Sequence, residues 1–191
     1  MQLRINDGTL QFEPHFFSEQ EAALLFEQLR TQVKWKEETI TIFGKEVMQP
    51  RLVAWYGDAG KVYTYSGRTN TPESWNEPLQ IIKEKVEAYS KQTFNSCLCN
   101  LYRDGNDSMG WHSDDEPELG RHPVIASVNL GATRTFKLQH KQHKAQKLSI
   151  ELSNGSLLVM GGTLQHYWKH SVPKTARPVG ERINLTFRYI L

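Results

Sequence analysis

The chain has 191 residues, enough for one substantial domain that buries most of its apolar surface without disulfide or metal staples. Its composition is 38% hydrophobic and 23% charged with a net charge of +2, which excludes collagen-like, low-complexity and wholly disordered chains. No apolar run approaches the length of a membrane span, so we expect no membrane contact.

The first third of the chain predicts scaffold helices. Residues Met1 to Glu13 lack the basic, apolar and small-residue regions of a secretory signal, so we expect a cytoplasmic protein, or a nuclear one in a eukaryote. A helix from Ser18 to Val33 begins with a capping box, and a second runs from about Pro78 to Lys91. Their apolar stripes predict these inward residues: Ala22, Leu25, Leu29 and Val33, then Leu79, Ile82, Val86 and Tyr89.

Strands are predicted for most of the remainder. Between the helices, residues 39–67 carry strand-like residues broken by three pairs typical of turns: Phe43-Gly44, Tyr56-Gly57 and Ala59-Gly60. From Phe94 onward, strands alternate with loops, and no repeat or linker divides the chain. We therefore predict one α+β, mainly β domain, with a sandwich or barrel rather than a parallel α/β fold.

Charge is divided along the chain. Residues 1–120 hold 12 Lys and Arg against 19 Asp and Glu, a net of −7, whereas residues 121–191 hold 11 against 2, a net of +9. A basic cluster lies in the second part: Lys137, His140, Lys141, His143, Lys144 and Lys147. It is either a solvated loop or a surface that contacts phosphates.

Two histidines and one aspartate form a candidate metal site. On an extended segment, His112 and Asp114 project from the same face, as two ligands of one metal must. The pair alone is a weak signal, but a second histidine, His170, follows 58 positions after His112. Two imidazoles and a carboxylate with open positions opposite are associated with non-haem Fe(II) oxygenases.

The segment Arg182 to Arg188 alternates arginines and polar residues with apolar ones. On a strand, Arg182 and Arg188 share a face, and two guanidinium groups on an interior face need anionic partners. A small dicarboxylate would satisfy both, because arginine forks bind carboxylates in bidentate fashion. Asn100 and Tyr102 could add an amide and a hydroxyl to the same ligand. Cys97 and Cys99 would then pack, reduced, on the opposite face.

Together these motifs resemble the AlkB family of Fe(II)- and 2-oxoglutarate-dependent dioxygenases, over nearly the whole chain. Further segments resemble its nucleic-acid repair branch: Phe43-Gly44-Lys45, Pro50-Arg51, Tyr56-Gly57-Asp58, Tyr63-Thr64-Tyr65-Ser66-Gly67 and Gly155-Ser156-Leu157-Leu158. The resemblance implies one catalytic domain. Helices and a nucleotide-recognition lid would occupy about residues 1–93, and a double-stranded β-helix (jelly-roll) core about residues 94–191.

The resemblance also implies roles for individual residues. His112, Asp114 and His170 would bind Fe(II); His166 is a rival for the last role, but the Trp-x-His-x-x-Pro context favours His170. The residues implied for 2-oxoglutarate are Asn100, Tyr102, Arg182, Asn184 and Arg188, with the arginines at opposite carboxylates. The residues implied for nucleic acid are Tyr65 stacking on the extruded base, Glu116 near its exocyclic amine, Phe43 as a finger that fills the gap, Arg51 at phosphate, and Tyr63 as a further substrate-binding residue.

The implied reaction is oxidative demethylation of N-alkylated DNA bases. O2 and 2-oxoglutarate would be consumed, succinate and CO2 formed, and formaldehyde released. Lesions of the 1-methyladenine or 3-methylcytosine type leave a cationic base that pairs poorly, which eases base flipping. Alternatives are an RNA or tRNA demethylase or hydroxylase with the same chemistry and, from another class, a non-catalytic damaged-base binding protein. We expect a monomer.

Overall fold

Two facing β-sheets make up the core of the chain, and two helices cover the outer side of the larger sheet. The computed structural model describes residues 1–42, 44–60, 63–65 and 68–191, with the backbone alone for residues 41, 42, 63–65 and 68–70. The strands of this described part are β1 (Gln2–Leu3), β2 (Thr9–Glu13), β3 (Thr39–Ile42), β4 (Lys45–Met48), β5 (Leu52–Gly57), β6 (Tyr63–Tyr65), β7 (Arg68–Asn70), β8 (Ser96–Tyr102), β9 (Met109–His112), β10 (Ile125–Gly131), β11 (Arg134–His140), β12 (Lys147–Leu152), β13 (Ser156–Gly161), β14 (Trp168–Val172) and β15 (Arg182–Arg188). The helices are α1 (Glu19–Gln32), α2 (Glu77–Ser90) and the short α3 (Leu164–Tyr167), with a 3-10 turn over Pro117–Leu119.

Strands distant in sequence are neighbours in both sheets. The larger sheet has the order β1-β2-β13-β10-β15-β8-β5, and the smaller has the order β12-β11-β14-β9. All of these strand pairs are antiparallel. This is the two-sheet jelly-roll arrangement, so the predicted fold class is confirmed.

The first 93 residues contribute to the jelly-roll as well as to helices and hairpins. Strand β2 pairs with β13, and β5 pairs with β8 as an edge strand of the larger sheet. Two separate hairpins, β3–β4 and β6–β7, lie outside both sheets. The region expected to form a lid is therefore anchored to the core by strand pairing.

Both predicted helices are present, and local signals explain where they begin. Ser18 accepts from the backbone of Glu21, and the Glu21 carboxylate accepts from the Ser18 backbone, so the capping box of α1 is complete. Asn76 caps α2 by accepting from the Leu79 backbone. The predicted inward position of Tyr89 is wrong: the side chain is 39% exposed and packs edge-on against Phe16.

The larger sheet separates two layers of core. On its outer face, Cys99, Leu185 and Val128 pack with the apolar sides of α1 and α2. On its inner face, Ile125 and Leu158 pack with residues of the smaller sheet. Both cysteines are free and buried, as predicted. Burying each large aliphatic side chain stabilises the fold by about 1.5–3 kcal/mol.

The glycines of two predicted turns lie in turns. Gly44, at φ +76°, lies in the β3–β4 turn, and Gly60, at φ +80°, follows β5. The predicted turn at Tyr56-Gly57 is wrong, because both residues belong to β5. Gly57 instead permits close approach, since a Cβ there would lie 2.8 Å from the carbonyl oxygen of Asn95. Among the described residues, no helix has the length and hydropathy of a membrane span.

Candidate functional site

Three side chains converge where β9 and β14 meet. His112 ends β9 and pairs in register with His170 of β14, and Asp114 follows two residues after His112. One ligand atom from each lies within 4.8 Å of the others. The structure therefore brings together the three residues that the sequence predicted as metal ligands.

The His112 ring is oriented by a backbone oxygen of the same strand. Its Nδ1 lies 2.9 Å from the carbonyl oxygen of Gly110. Because a carbonyl oxygen can only accept, Nδ1 carries the proton and Nε2 is left as the metal-binding nitrogen. That Nε2 lies 3.9 Å from Asp114 Oδ1. This distance leaves room for an ion between them.

Asp114 is buried and held from two sides. Arg188 Nη2 donates to its Oδ1 at 3.0 Å, and its backbone N–H donates to Oε1 of the buried Gln165 at 3.0 Å. Burial alone would raise the pKa of this carboxyl, but the charge and hydrogen bond of Arg188 are the main causes that outweigh it and lower the pKa to about 2. The carboxylate is therefore ionised, as a metal ligand must be.

His170 is held neutral. Burial, with the neighbouring His112, lowers the pKa of its imidazole to about 3. Its ring stacks on Phe136 with centroids 5.2 Å apart. The Nδ1 atom is buried and has no hydrogen-bond partner among the described residues. A neutral imidazole is the form that binds a metal.

A cleft between the sheets runs from this triad along an arginine-bearing wall. All five residues predicted to bind 2-oxoglutarate line it: Asn100, Tyr102, Arg182, Asn184 and Arg188. Strand register explains the grouping, because Arg182 pairs with Tyr102 and Asn184 pairs with Asn100 across β15 and β8. A single face of two neighbouring strands thus supplies the whole set.

Arg182 lies fully buried with an incomplete set of partners. Nη2 donates to Asn129 Oδ1 at 2.6 Å, and the guanidinium lies 4.8 Å from the Tyr102 ring centroid. Nε and Nη1 are buried without a hydrogen-bond partner in the described part of the chain. Burial lowers the pKa of this guanidinium, although Tyr102 opposes the shift. Unsatisfied buried donors of a cation indicate a site for an anion.

Asn184 and Asn129 support this wall. Asn184 Nδ2 donates to Ser127 Oγ at 2.8 Å and to Asn129 Oδ1 at 3.2 Å. Its Oδ1 accepts from Thr186. The Asn184 amide is thus engaged with its own sheet, and the Asn129 oxygen that it contacts is the one that accepts from Arg182.

Arg51 is placed differently from its predicted role. It is 3% exposed, and its Nε donates to Asn100 Oδ1 at 2.8 Å. A side chain so deeply buried is not available to a phosphate on the surface. The expectation of a phosphate contact at Arg51 is therefore corrected.

Other predicted residues lie outside the cavity or outside the described part. Glu116 is partly buried just before the 3-10 turn and is not among the described residues that line the cavity. Phe43 lies outside the described residues, as do the side chains of Tyr63 and Tyr65. His166 is exposed, contacts the backbone oxygen of Arg121 and is not part of the triad.

The basic cluster divides into structural and exposed members. His140 is buried, with its Nε2 3.2 Å from Asp7 Oδ2. Lys141 donates to Asp115 Oδ2 and to the Gln165 backbone oxygen, both at 2.9 Å. The exposed lysines of the cluster are Lys137, Lys144 and Lys147.

Sequence reasoning missed two residues that hold the site. Asn129 accepts from Arg182, and Gln165 accepts from the Asp114 backbone. Alternation along residues 124–130 places Ser127 and Asn129 opposite the apolar set, which is a usable signal for Asn129. Gln165 lies in a short helix with no such periodicity.

The chain matches the family model of the 2OG-Fe(II) oxygenase superfamily over residues 9–188, and it belongs to that superfamily. It is 44% identical over 186 residues to the human alpha-ketoglutarate-dependent dioxygenase alkB homolog 3, an alignment that covers 93% of this chain and 64% of that protein. It is 40% identical over 185 residues to the mouse DNA oxidative demethylase ALKBH2, covering 92% of this chain and 77% of that one. Within the superfamily, the chain therefore belongs to the AlkB family.

Two solved structures share the fold. The structure of OsALKBH1 has a TM-score of 0.67 at 15% identity and covers 99% of this chain and 100% of its own. A Pseudomonas putida prolyl-4-hydroxylase has a TM-score of 0.62 at 17% identity, and the match covers 94% of this chain and 92% of that one. The chain spans 64% of the length of the human relative, so it corresponds to part of that protein.

Proposed function

We propose that the chain is an Fe(II)- and 2-oxoglutarate-dependent dioxygenase that oxidatively removes N-methyl groups from bases in DNA. One observation carries this proposal: three ligand atoms within 4.8 Å of one another lie at the end of a cavity whose wall bears Arg182 and Arg188. The names of the relatives, a DNA oxidative demethylase among them, support the same reaction class.

The residues present fit the metal. His112 and His170 offer imidazole nitrogens, that of His170 held neutral, and Asp114 offers an ionised carboxylate, the donor set associated with non-haem Fe(II). Arg188 holds the Asp114 carboxylate through Oδ1. The ligands are therefore oriented before the ion arrives.

The residues present also fit 2-oxoglutarate. The unsatisfied Nε and Nη1 of Arg182 suit one carboxylate, and Arg188 lies beside the metal ligand Asp114, where the other end of the dianion would bind. When bound, iron, 2-oxoglutarate and O2 supply the oxidation: 2-oxoglutarate becomes succinate and CO2, and an N-methyl group becomes N-hydroxymethyl, which leaves as formaldehyde. The protein binds and orients these reactants and excludes water from them.

The base-recognition residues remain proposals. Tyr65 would stack on an extruded base, Glu116 would lie near its exocyclic amine, and Phe43 would fill the gap in a duplex. Tyr63 would be a further substrate-binding residue. A cationic methylated base suits aromatic faces and a nearby carboxylate, and stacking contributes about 1–3 kcal/mol per base. We propose that Lys137, Lys144 and Lys147, all exposed, contact phosphates.

The test is product formation from a methylated oligonucleotide. With Fe(II), 2-oxoglutarate and a 1-methyladenine or 3-methylcytosine substrate, we expect formaldehyde and succinate in equal amounts. His112→Ala and Asp114→Ala should abolish both products. His166→Ala is the matched control, because it removes an exposed histidine outside the triad and should retain activity. Turnover by His112→Ala would refute the assignment of the metal site.

The same assay separates the alternatives. Matched methylated DNA and RNA oligonucleotides distinguish a DNA enzyme from an RNA or tRNA enzyme. Binding of methylated DNA without oxygen consumption would identify a damaged-base binding protein. We propose that the protein acts as a monomer in the cytoplasm, or in the nucleus of a eukaryote; gel filtration of the full chain tests the oligomeric state.

A further inference from the structure

Arg51 is a buried cation that lies behind the cavity rather than in its wall. It immediately precedes β5, and the residues that line the cavity do not include it. Nε donates to Asn100 Oδ1 at 2.8 Å, and Nη1 donates to the Ser108 backbone oxygen at 3.3 Å. The guanidinium therefore contacts a side chain of β8 and the backbone of the residue that precedes β9.

The first bond fixes the orientation of the Asn100 side chain. A guanidinium has donors only, so the Asn100 atom that faces it must be the amide oxygen. The Asn100 amide nitrogen is thereby turned away from Arg51, and it has no acceptor among the described residues. If the Asn100 amide were flipped, its N–H groups would face the N–H groups of Arg51 in a buried place, which is unfavourable. Arg51 thus leaves the N–H groups of a cavity-lining residue available to an acceptor.

The second bond connects the same side chain to the strand that carries a metal ligand. Ser108 directly precedes β9, which ends at His112. The Ser108 backbone N–H donates to the Pro50 oxygen at 2.9 Å, and its oxygen accepts from Arg51. Pro50 and Arg51 therefore bind both the backbone N–H and the backbone oxygen of Ser108, the residue that precedes the strand ending at His112.

We propose that Arg51 is a positioning residue for the co-substrate: it holds the Asn100 amide with its N–H donors toward the cavity, where they donate to a carboxylate of 2-oxoglutarate. The inference rests on the proposed function, since that function puts 2-oxoglutarate in this cavity. Arg51 therefore has an internal role instead of a contact with phosphate at the surface.

A double-mutant cycle tests the inference without turnover. The measurement is the Kd of 2-oxoglutarate for the full chain loaded with Mn(II), by titration calorimetry, for wild type, Arg51→Met, Asn100→Ala and the double variant. We expect Arg51→Met and Asn100→Ala each to weaken binding about 10-fold, as for loss of one hydrogen bond to a charged group. Because Arg51 acts through Asn100, the double variant should bind no more weakly than Asn100→Ala alone.

Two controls separate positioning from general destabilisation. Leu29→Ala opens a cavity in the helix-covered core and lowers stability, but it should leave the Kd unchanged. Arg51→Lys keeps the charge and has no fork for two acceptors, so it should weaken binding at least threefold and have no effect in the Asn100→Ala background. It also keeps the test informative if Arg51→Met does not fold.

The outcomes are distinct. If Arg51→Met leaves the Kd unchanged while Asn100→Ala weakens binding, or if the two effects multiply, the positioning role is refuted and the proposed function stands. If the wild-type protein does not bind 2-oxoglutarate, the proposed function fails, and this inference fails with it.

Discussion

Two buried arginines flank the Tyr102 ring, and we predict opposite effects when each is replaced by methionine. Arg182 lies 4.8 Å and Arg134 lies 5.7 Å from the ring centroid. Arg134 donates to three backbone oxygens, whereas two nitrogens of Arg182 have no partner among the described residues. The first arrangement is typical of a structural residue, and the second is typical of a ligand site.

The expected magnitudes follow from these partners. Arg182→Met removes two unsatisfied buried donors, each of which costs about 1–3 kcal/mol, and loses one charged hydrogen bond worth about 1.5–3 kcal/mol. Asn129 Oδ1 keeps a donor, because Asn184 still contacts it. We expect the metal-free protein to be unchanged or more stable by about 1 kcal/mol, a Tm rise of about 2–4 °C. Arg134→Met orphans three carbonyl oxygens and should destabilise by about 3 kcal/mol or more.

Co-substrate affinity should show the reverse order. Loss of two charge-assisted hydrogen bonds to a carboxylate should cost about 3 kcal/mol or more, so Arg182→Met should weaken 2-oxoglutarate about 100-fold or more. Urea unfolding of the metal-free protein and calorimetry on the Mn(II)-loaded protein measure the two quantities. If Arg182→Met lowered stability by more than about 2 kcal/mol, Arg182 would be structural and this reasoning would be refuted.

Three further predictions concern the cap, the pH dependence and the metal. Ser18→Ala breaks the capping box with Glu21 and should lower stability by about 1 kcal/mol, seen as a Tm loss of about 2–4 °C; no loss would show that α1 is held by packing alone. The folded pKa of His170, about 3, lies below its usual 6.5, so the unfolded chain takes up the proton first and metal-free stability should fall as pH drops from 6.5 toward 3. Protonation of Asp114 should lower stability further between pH 3.8 and about pH 2. A urea midpoint that stays constant across both pH ranges would contradict these pKa shifts. Mn(II) should raise the Tm of the wild-type protein and not of His112→Ala, and an equal rise in both would show binding elsewhere.

Local signals were sufficient where the chain forms structure from near neighbours. The capping box of Ser18 and Glu21 fixed the start of α1 because both partners lie within one turn. Alternation in residues 182–188 predicted which side chains face the cavity, because a strand has a side-chain period of two. The helical apolar stripe of α2 failed at Tyr89, because the last turn of that helix lies at the surface.

The convergence of the metal ligands needed more than spacing. His112 and His170 are neighbours because β9 and β14 pair in the smaller sheet, and no feature of a single sequence gives that pairing. Resemblance to a known family supplied it. Burial is equally hidden: Arg51 and Lys141 look like surface cations in the sequence, yet one is enclosed against Asn100 and the other is paired with Asp115. A single chain does not say which basic residues face inward.

The charge division of the chain has two physical origins. Three of the eleven basic residues after position 120, namely Arg134, Arg182 and Arg188, are buried, so they serve the interior and not a nucleic-acid surface. Of the two acidic residues in that part, Glu181 pairs with Arg30 of α1, and Glu151 accepts from Thr135. The positive potential therefore has an enclosed component and an exposed one. The enclosed charges would act on a bound dianion at low dielectric, whereas the exposed charges would act on the phosphates of the proposed polynucleotide through screening ions. Salt should weaken contact with a polynucleotide far more than it weakens binding of 2-oxoglutarate, because screening reaches only the exposed charges.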